Sequence, residues 1–117
     1  FESAAARLDA LLAGAPRDVD LLRWRAAARI QLGRPTDAAR DLRAALEVQP
    51  GRRELERALA MALVRAGDPE GADWAGELLR VDPDDTALQP YLDAASGAAP
   101  MPPLPPPPGL MGGMPAL

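Results

Sequence analysis

The chain has no cysteine and no histidine. The first absence excludes disulfides and thiol chemistry, and the two together remove the usual zinc and haem ligands. Without imidazole the commonest general acid/base is missing as well. Lysine and asparagine do not occur either, so all 13 cations are arginines. Against 17 carboxylates they leave a net charge of −4, the wrong balance for a nucleic-acid or anionic-membrane surface. Aromatic residues are few, with two Trp, one Tyr and one Phe. No stretch reads as a signal peptide or a membrane span, and direct membrane insertion is not expected. Phe1 is not a natural start, so further residues, a targeting segment among them, are expected upstream.

What the chain has instead is alanine. Apolar residues make up 48% of its 117 positions, and alanine supplies much of that. Alanines let helices approach closely while burying little area each. A thin helical core within about one domain's length is therefore expected. A Lys-free, Arg- and Ala-rich composition is also what GC-rich bacterial genomes encode.

The residues recur at a fixed interval. A shift of 34 superimposes Leu21 on Leu55, Arg23 on Arg57, Ala26 on Ala60, Ala28 on Ala62, Gly33 on Gly67, Pro35 on Pro69 and Ala38 on Ala72. The same shift carries Ala4, Leu8, Leu12 and Pro16 onto Ala38, Leu42, Leu46 and Pro50. One residue is lost after Ala72, so Pro83 arrives one place early. Self-similarity at this period is the mark of a repeat architecture.

Each unit reads as two helices. The first runs from an N-cap at Asp18 to about Leu32, with Gly33 where a left-handed C′ residue is wanted. Pro35 starts the second helix, where its missing N–H costs nothing, and Asp37 favours the helix N-terminus. Asp68-Pro69-Glu70 repeats that start. Ala38, Leu42, Ala45 and Leu46 form one apolar stripe at helical spacing, and Pro50 and Pro83 stop their helices. After Pro83, Thr86 and Gln89 have capping-box spacing before a short closing helix whose apolar face is Leu88, Tyr91 and Leu92. From Gly97 onward there is no charged side chain and there are eight prolines, the composition of an extended, polyproline-prone tail.

These residues resemble the tetratricopeptide repeat family over positions 1 to 83. The resemblance rests on the 34-residue period and on the small residue in the first helix (Ala26, Ala60). It rests also on the inter-helix glycine (Gly33, Gly67), the alanine opening the second helix (Ala38, Ala72) and the closing proline (Pro16, Pro50, Pro83). It implies an all-α fold, an α-solenoid of antiparallel helix pairs in a right-handed superhelix. The division is a half repeat (1–16), two repeats (17–50 and 51–83), a closing helix (84–96) and an extended C-terminal tail (97–117). Arg25 and Arg29 depart from the family, which buries a leucine and an aromatic there, and Ala75 stands where Leu42 supplies bulk one copy earlier. The stripe Leu8, Leu11, Leu12 is expected to lack its family partner helix and to need cover from upstream residues or another chain.

The resemblance further implies a concave groove lined by Asp20, Arg23, Ala27 and Ile30 in one unit and by Glu54, Arg57, Met61 and Val64 in the next. Two arginines a repeat apart suit an acidic or C-terminal carboxylate partner. The alternative is that they are solvated and paired with nearby Asp and Glu. Trp24 and Trp74 are expected to fill the core, the alternative being interface anchors, and Arg52-Arg53 to be solvated, the alternative being a phosphate contact. In the tail, Met101, Pro102, Pro103, Leu104, Pro105, Leu110 and Met111 are candidate partner contacts, with residues 102 to 108 as a polyproline II rod. The tail is expected to lie on its own repeats or on a neighbour. No nucleophile, metal cluster or phosphate loop accompanies the carboxylates, so neither an enzyme nor a cofactor is expected. The expected function is a protein–protein interaction module or scaffold, the alternative a permanent subunit of a larger complex with the tail as a strap.

Overall fold

A computed structural model describes residues 2–103 of the chain, with side chains from Ala4. Among these residues the fold is all-helical: α1 (Glu2–Gly14), α2 (Val19–Gln31), α3 (Pro35–Val48), α4 (Arg53–Arg65), α5 (Glu70–Val81) and α6 (Gln89–Ala95). Each helix packs on the next in the chain, and α6 also returns onto α4.

The helix ends follow from local chemistry. Asp18 caps α2, its carboxylate accepting from Leu21 N–H at 3.1 Å. Gly33, at φ +75°, lets Gly33 N–H reach Ile30 O and Arg34 N–H reach Arg29 O, which satisfies the last carbonyls of α2. Gly67, at φ +73°, does the same for α4, with Gly67 N–H on Val64 O and Asp68 N–H on Leu63 O. Pro35 is the first residue of α3. α6 starts differently from the expectation. Pro90 lies in its first turn and Leu88 is the cap, with no side-chain cap bond. Gln89 is thus too early in the helix to close a capping box with Thr86, and it donates to Asp93 instead.

The main core joins α1 to α4 through Leu8, Leu12, Leu21, Leu22, Ala26, Ala38, Leu42, Leu55, Leu59 and Leu63, among others. A smaller cluster, Ala60, Ala75, Leu79 and Leu88, joins α4, α5 and the residue that caps α6. The α1 stripe corrects the expectation that it would lack cover. Leu8 is fully buried and Leu12 nearly so within this chain, because both turn into the main core, and Leu11 is half-buried against it. Trp24 and Trp74 are half-buried and packed against the core.

α5 approaches α4 closely. A Cβ added at Gly71 would stand 2.6 Å from the backbone N of Val64 and 2.9 Å from the carbonyl carbon of Leu63. Backbone this near tolerates only glycine. Ala75, one turn further along and fully buried, needs less bulk than Leu42 in the earlier copy because the helices are already close.

Candidate functional site

On α4, residues 54, 58, 61 and 65 fall at helical spacing on one face. Glu54, Ala58, Met61 and Arg65 line a groove there, completed by Arg23, Trp24, Ala27, Ile30 and Gln31 of α2 and by Tyr91 of α6. Its floor reaches Ala26 and Leu42, and the cavity measures about 300 Å³. The walls are mostly apolar and two of the chain's few aromatic side chains stand in them. Arginines sit at Arg23 and Arg65.

Of the residues expected on the groove, Arg23, Ala27, Ile30, Glu54 and Met61 are brought together there. Asp20 lies beside it, exposed, 3.6 Å from Arg23. Two residues of α4 point elsewhere. Val64 is buried against Gly71 of α5. Arg57 turns to Asp85: its Nη2 donates to Oδ1 at 3.2 Å, while Nε lies 2.7 Å from Oδ2 with its N–H off line. Of the α4 face implied by the resemblance, Glu54 and Met61 line this groove, while Arg57 and Val64 turn away from it. Ala58 and Arg65, with their 34-residue counterparts Trp24 and Gln31, take the places assigned to Arg57 and Val64. Arg52 and Arg53 are engaged rather than free, with Glu54 and Asp82 respectively.

Arg65 is the residue that sequence reasoning missed and the groove uses most. Its guanidinium donates to the Tyr91 hydroxyl at 2.8 Å and stands 5.2 Å from the centre of that ring. It also donates to the carbonyl oxygen of Pro103 at 2.7 Å. Among the described residues no carboxylate forms an ion pair with it. The first tail residues therefore return to the helices. Gly97, at φ +81°, closes α6, with Ala98 N–H on Asp93 O. Met101 then lines a hollow with Val64, Gly67, Ala72 and Ala94, and Pro103 reaches Arg65. Pro102 is half-buried while Met101 and Pro103 stay exposed. Leu104, Pro105, Leu110 and Met111, and most of the expected 102 to 108 rod, lie outside the described residues.

A second polar arrangement explains the departures at Arg25 and Arg29. Both converge on Asp41 of α3, which is buried. Arg25 grips it bidentately (Nη2 to Oδ1 2.6 Å, Nε to Oδ2 3.0 Å), and Arg29 Nη1 reaches Oδ2 at 2.9 Å. Arg25 also donates to Asp9 of α1 at 2.8 Å. The bond to Asp41, and then the one to Asp9, hold the Arg25 pKa above its usual value against the opposing effect of burial. This cluster ties three helices, α1, α2 and α3. Two arginines at positions where the resemblance implies buried apolar side chains were the signal that a carboxylate had to meet them.

Among the described residues no group of His, Cys, Asp or Glu is placed to hold a metal ion, and no helix is long and apolar enough to cross a membrane. No family model, curated protein or solved structure matches the chain.

Proposed function

We propose that the chain is a tetratricopeptide-like helical repeat module whose α2–α4–α6 groove holds a short segment of a partner protein. One observation carries this reading: an apolar groove lined by first helices of successive repeat units, with Trp24 and Tyr91 in its lining and an arginine, Arg65, that has no carboxylate partner among the described residues. Apolar floor, aromatic walls and a few convergent donors are what recognition of a peptide needs, since burial supplies affinity and the donors fix orientation. The repeat period supports the same architecture, and the order of helix contacts, each on its chain neighbour, is compatible with a solenoid.

Selecting a displayed peptide library on the full chain and on Met61→Asp tests it. Peptides rich in apolar residues should be enriched on the first and lost on the second, with melting temperatures within a few degrees. Peptides that bind both proteins equally, or no enrichment at all, would remove the groove from consideration.

A further inference from the structure

We infer that residues 98 to 103 are a strap latched by Arg65, and that a partner segment displaces the strap from Arg65 by means of a carboxylate. The inference rests on the reading of the groove as a peptide site and adds how that site is regulated. Described contacts fasten the strap at three points. Gly97, at φ +81°, turns the chain back on α6, with Ala98 N–H on Asp93 O at 2.9 Å. Met101 then forms part of the hollow between the end of α4 and the start of α5, beside Val64, Gly67 and Ala72. Last, the Pro103 carbonyl accepts from Arg65 Nη2 at 2.7 Å. The rings of Pro102 and Pro103 fix φ and restrict the residue before each. Met101 to Pro103 is therefore a stiff piece, and lifting its Pro103 end moves Met101 too.

Arg65 serves both structures at once, lining the groove and holding the strap. The same Nη2 that donates to Pro103 also donates to the Tyr91 hydroxyl, at 2.8 Å. A terminal guanidinium nitrogen has two hydrogens, so both are taken. A guanidinium grips a carboxylate through two parallel bonds, from Nη1 and Nη2 or from Nε and Nη2. Arg25 shows the second form on Asp41. Either form needs an Nη2 hydrogen, so a carboxylate held by both prongs of Arg65 must evict one of its present acceptors. Tyr91 is buried on α6, whereas Pro103 is exposed. The carbonyl is the one to leave.

Charge makes the exchange favourable. A hydrogen bond to an ionised acceptor is roughly twice as strong as one to a neutral carbonyl. Arg65 has no carboxylate partner among the described residues, while Arg23, the other arginine of the groove, has Asp20 at 3.6 Å. An acidic group on an otherwise apolar segment complements that unmatched charge. A segment without one leaves the strap where it is. The strap in turn lowers the apparent affinity of an acidic segment, which binds fully only where the latch is open. By linkage the same segment frees Met101 from its hollow.

Two methionines already stand where reporters are needed, Met61 in the groove and Met101 in the strap. Isotope labelling of the methionine methyl groups in the full chain reads both in one NMR spectrum, with Met61→Leu and Met101→Leu assigning the signals. The probes are the N-acetylated peptide Ala-Leu-Leu-Ala-Leu with a free C-terminal carboxylate and the same peptide amidated. The free acid should move Met61 and Met101 with one midpoint. Met101 should move toward its position in Arg65→Ala, where the latch is gone, and the amide should move Met61 alone. Loosening the strap with Met101→Gly should tighten binding of the acid about three- to tenfold and leave the amide unchanged. If Met101 keeps its position in Arg65→Ala, Arg65 does not hold the strap and the proposal fails. A free acid that moves Met61 but not Met101, or two peptides that move Met101 equally, would overturn the competition and leave the groove standing. If neither peptide moves Met61, the groove reading fails and the competition goes with it.

Discussion

Two glycines in α5, five residues apart, have opposite roles that nothing in their identity distinguishes. A Cβ at Gly71 would meet backbone atoms of Val64 and Leu63 at under 3.0 Å, whereas one at Gly76 would have nothing within 4 Å. Backbone cannot step aside as a flexible side chain can, so Gly71→Ala must push α5 away from α4. We expect it to lose about 1–3 kcal/mol. Gly76 lies in the helix interior, where glycine is about 0.5–1 kcal/mol worse than alanine. Gly76→Ala should therefore gain roughly that amount. Urea denaturation of the two variants checks both signs. Equal shifts would mean that the α4–α5 approach is looser than described.

At the scale of elements, Asp41 decides how α1, α2 and α3 are fastened. Its side chain is 4% exposed, and the side chains of the two arginines that hold it are 20% and 19% exposed. Breaking a fully buried pair costs about 3–5 kcal/mol because a charge is left uncompensated. Here the arginines can still find water, so Asp41→Asn should cost about 2–3 kcal/mol. Asp9→Asn should cost well under 1 kcal/mol, since Asp9 is 55% exposed. The pH dependence follows from Arg25. Its folded-state pKa is raised, so the stabilisation is fully present below the unfolded-state value and is lost only as pH climbs through the folded one, in strong alkali. The stability lost in Arg25→Gln, measured by thermal melts, should therefore be the same from about pH 6 to pH 10. A loss that shrinks across that window would assign the effect to some other group.

For the whole molecule, the critical junction is the second cluster, where Ala60 of α4 meets Ala75, Leu79 and Leu88. Ala60 is fully buried, with helices on more than one side. Ala60→Leu forces three methylene-sized groups into that junction and should cost about 1–3 kcal/mol. Ala5→Leu, near the start of α1 and half-buried, should cost much less. Melting curves that coincide for the two variants would show that α4, α5 and α6 do not pack as one unit. Because α6 carries Tyr91 to the groove, loosening this junction should also disturb the groove's wall.

The local structure was written in the sequence because it depends on neighbours along the chain. Asp18 could be assigned as a cap, Gly33 and Gly67 as left-handed helix ends, and Pro35 as a helix start, since each acts on backbone groups within a few residues of itself. The all-helical character follows from the same signals. Half of the groove was legible too: Arg23, Ala27, Ile30, Glu54 and Met61 follow from spacing and resemblance. What spacing leaves open is the rotation of α4 about its axis. That was settled by the close approach at Gly71, which draws Val64 inward, and by Asp85, which draws Arg57 away, leaving Ala58 and Arg65 to face the groove. Asp41 was overlooked for a related reason. An aspartate among alanines reads as a solvated residue until two arginines from another helix are found closing over it. Tyr91 and Pro103 came to Arg65 from 26 and 38 residues away. Contacts at that separation depend on how helices stack, and only the tertiary structure supplies them.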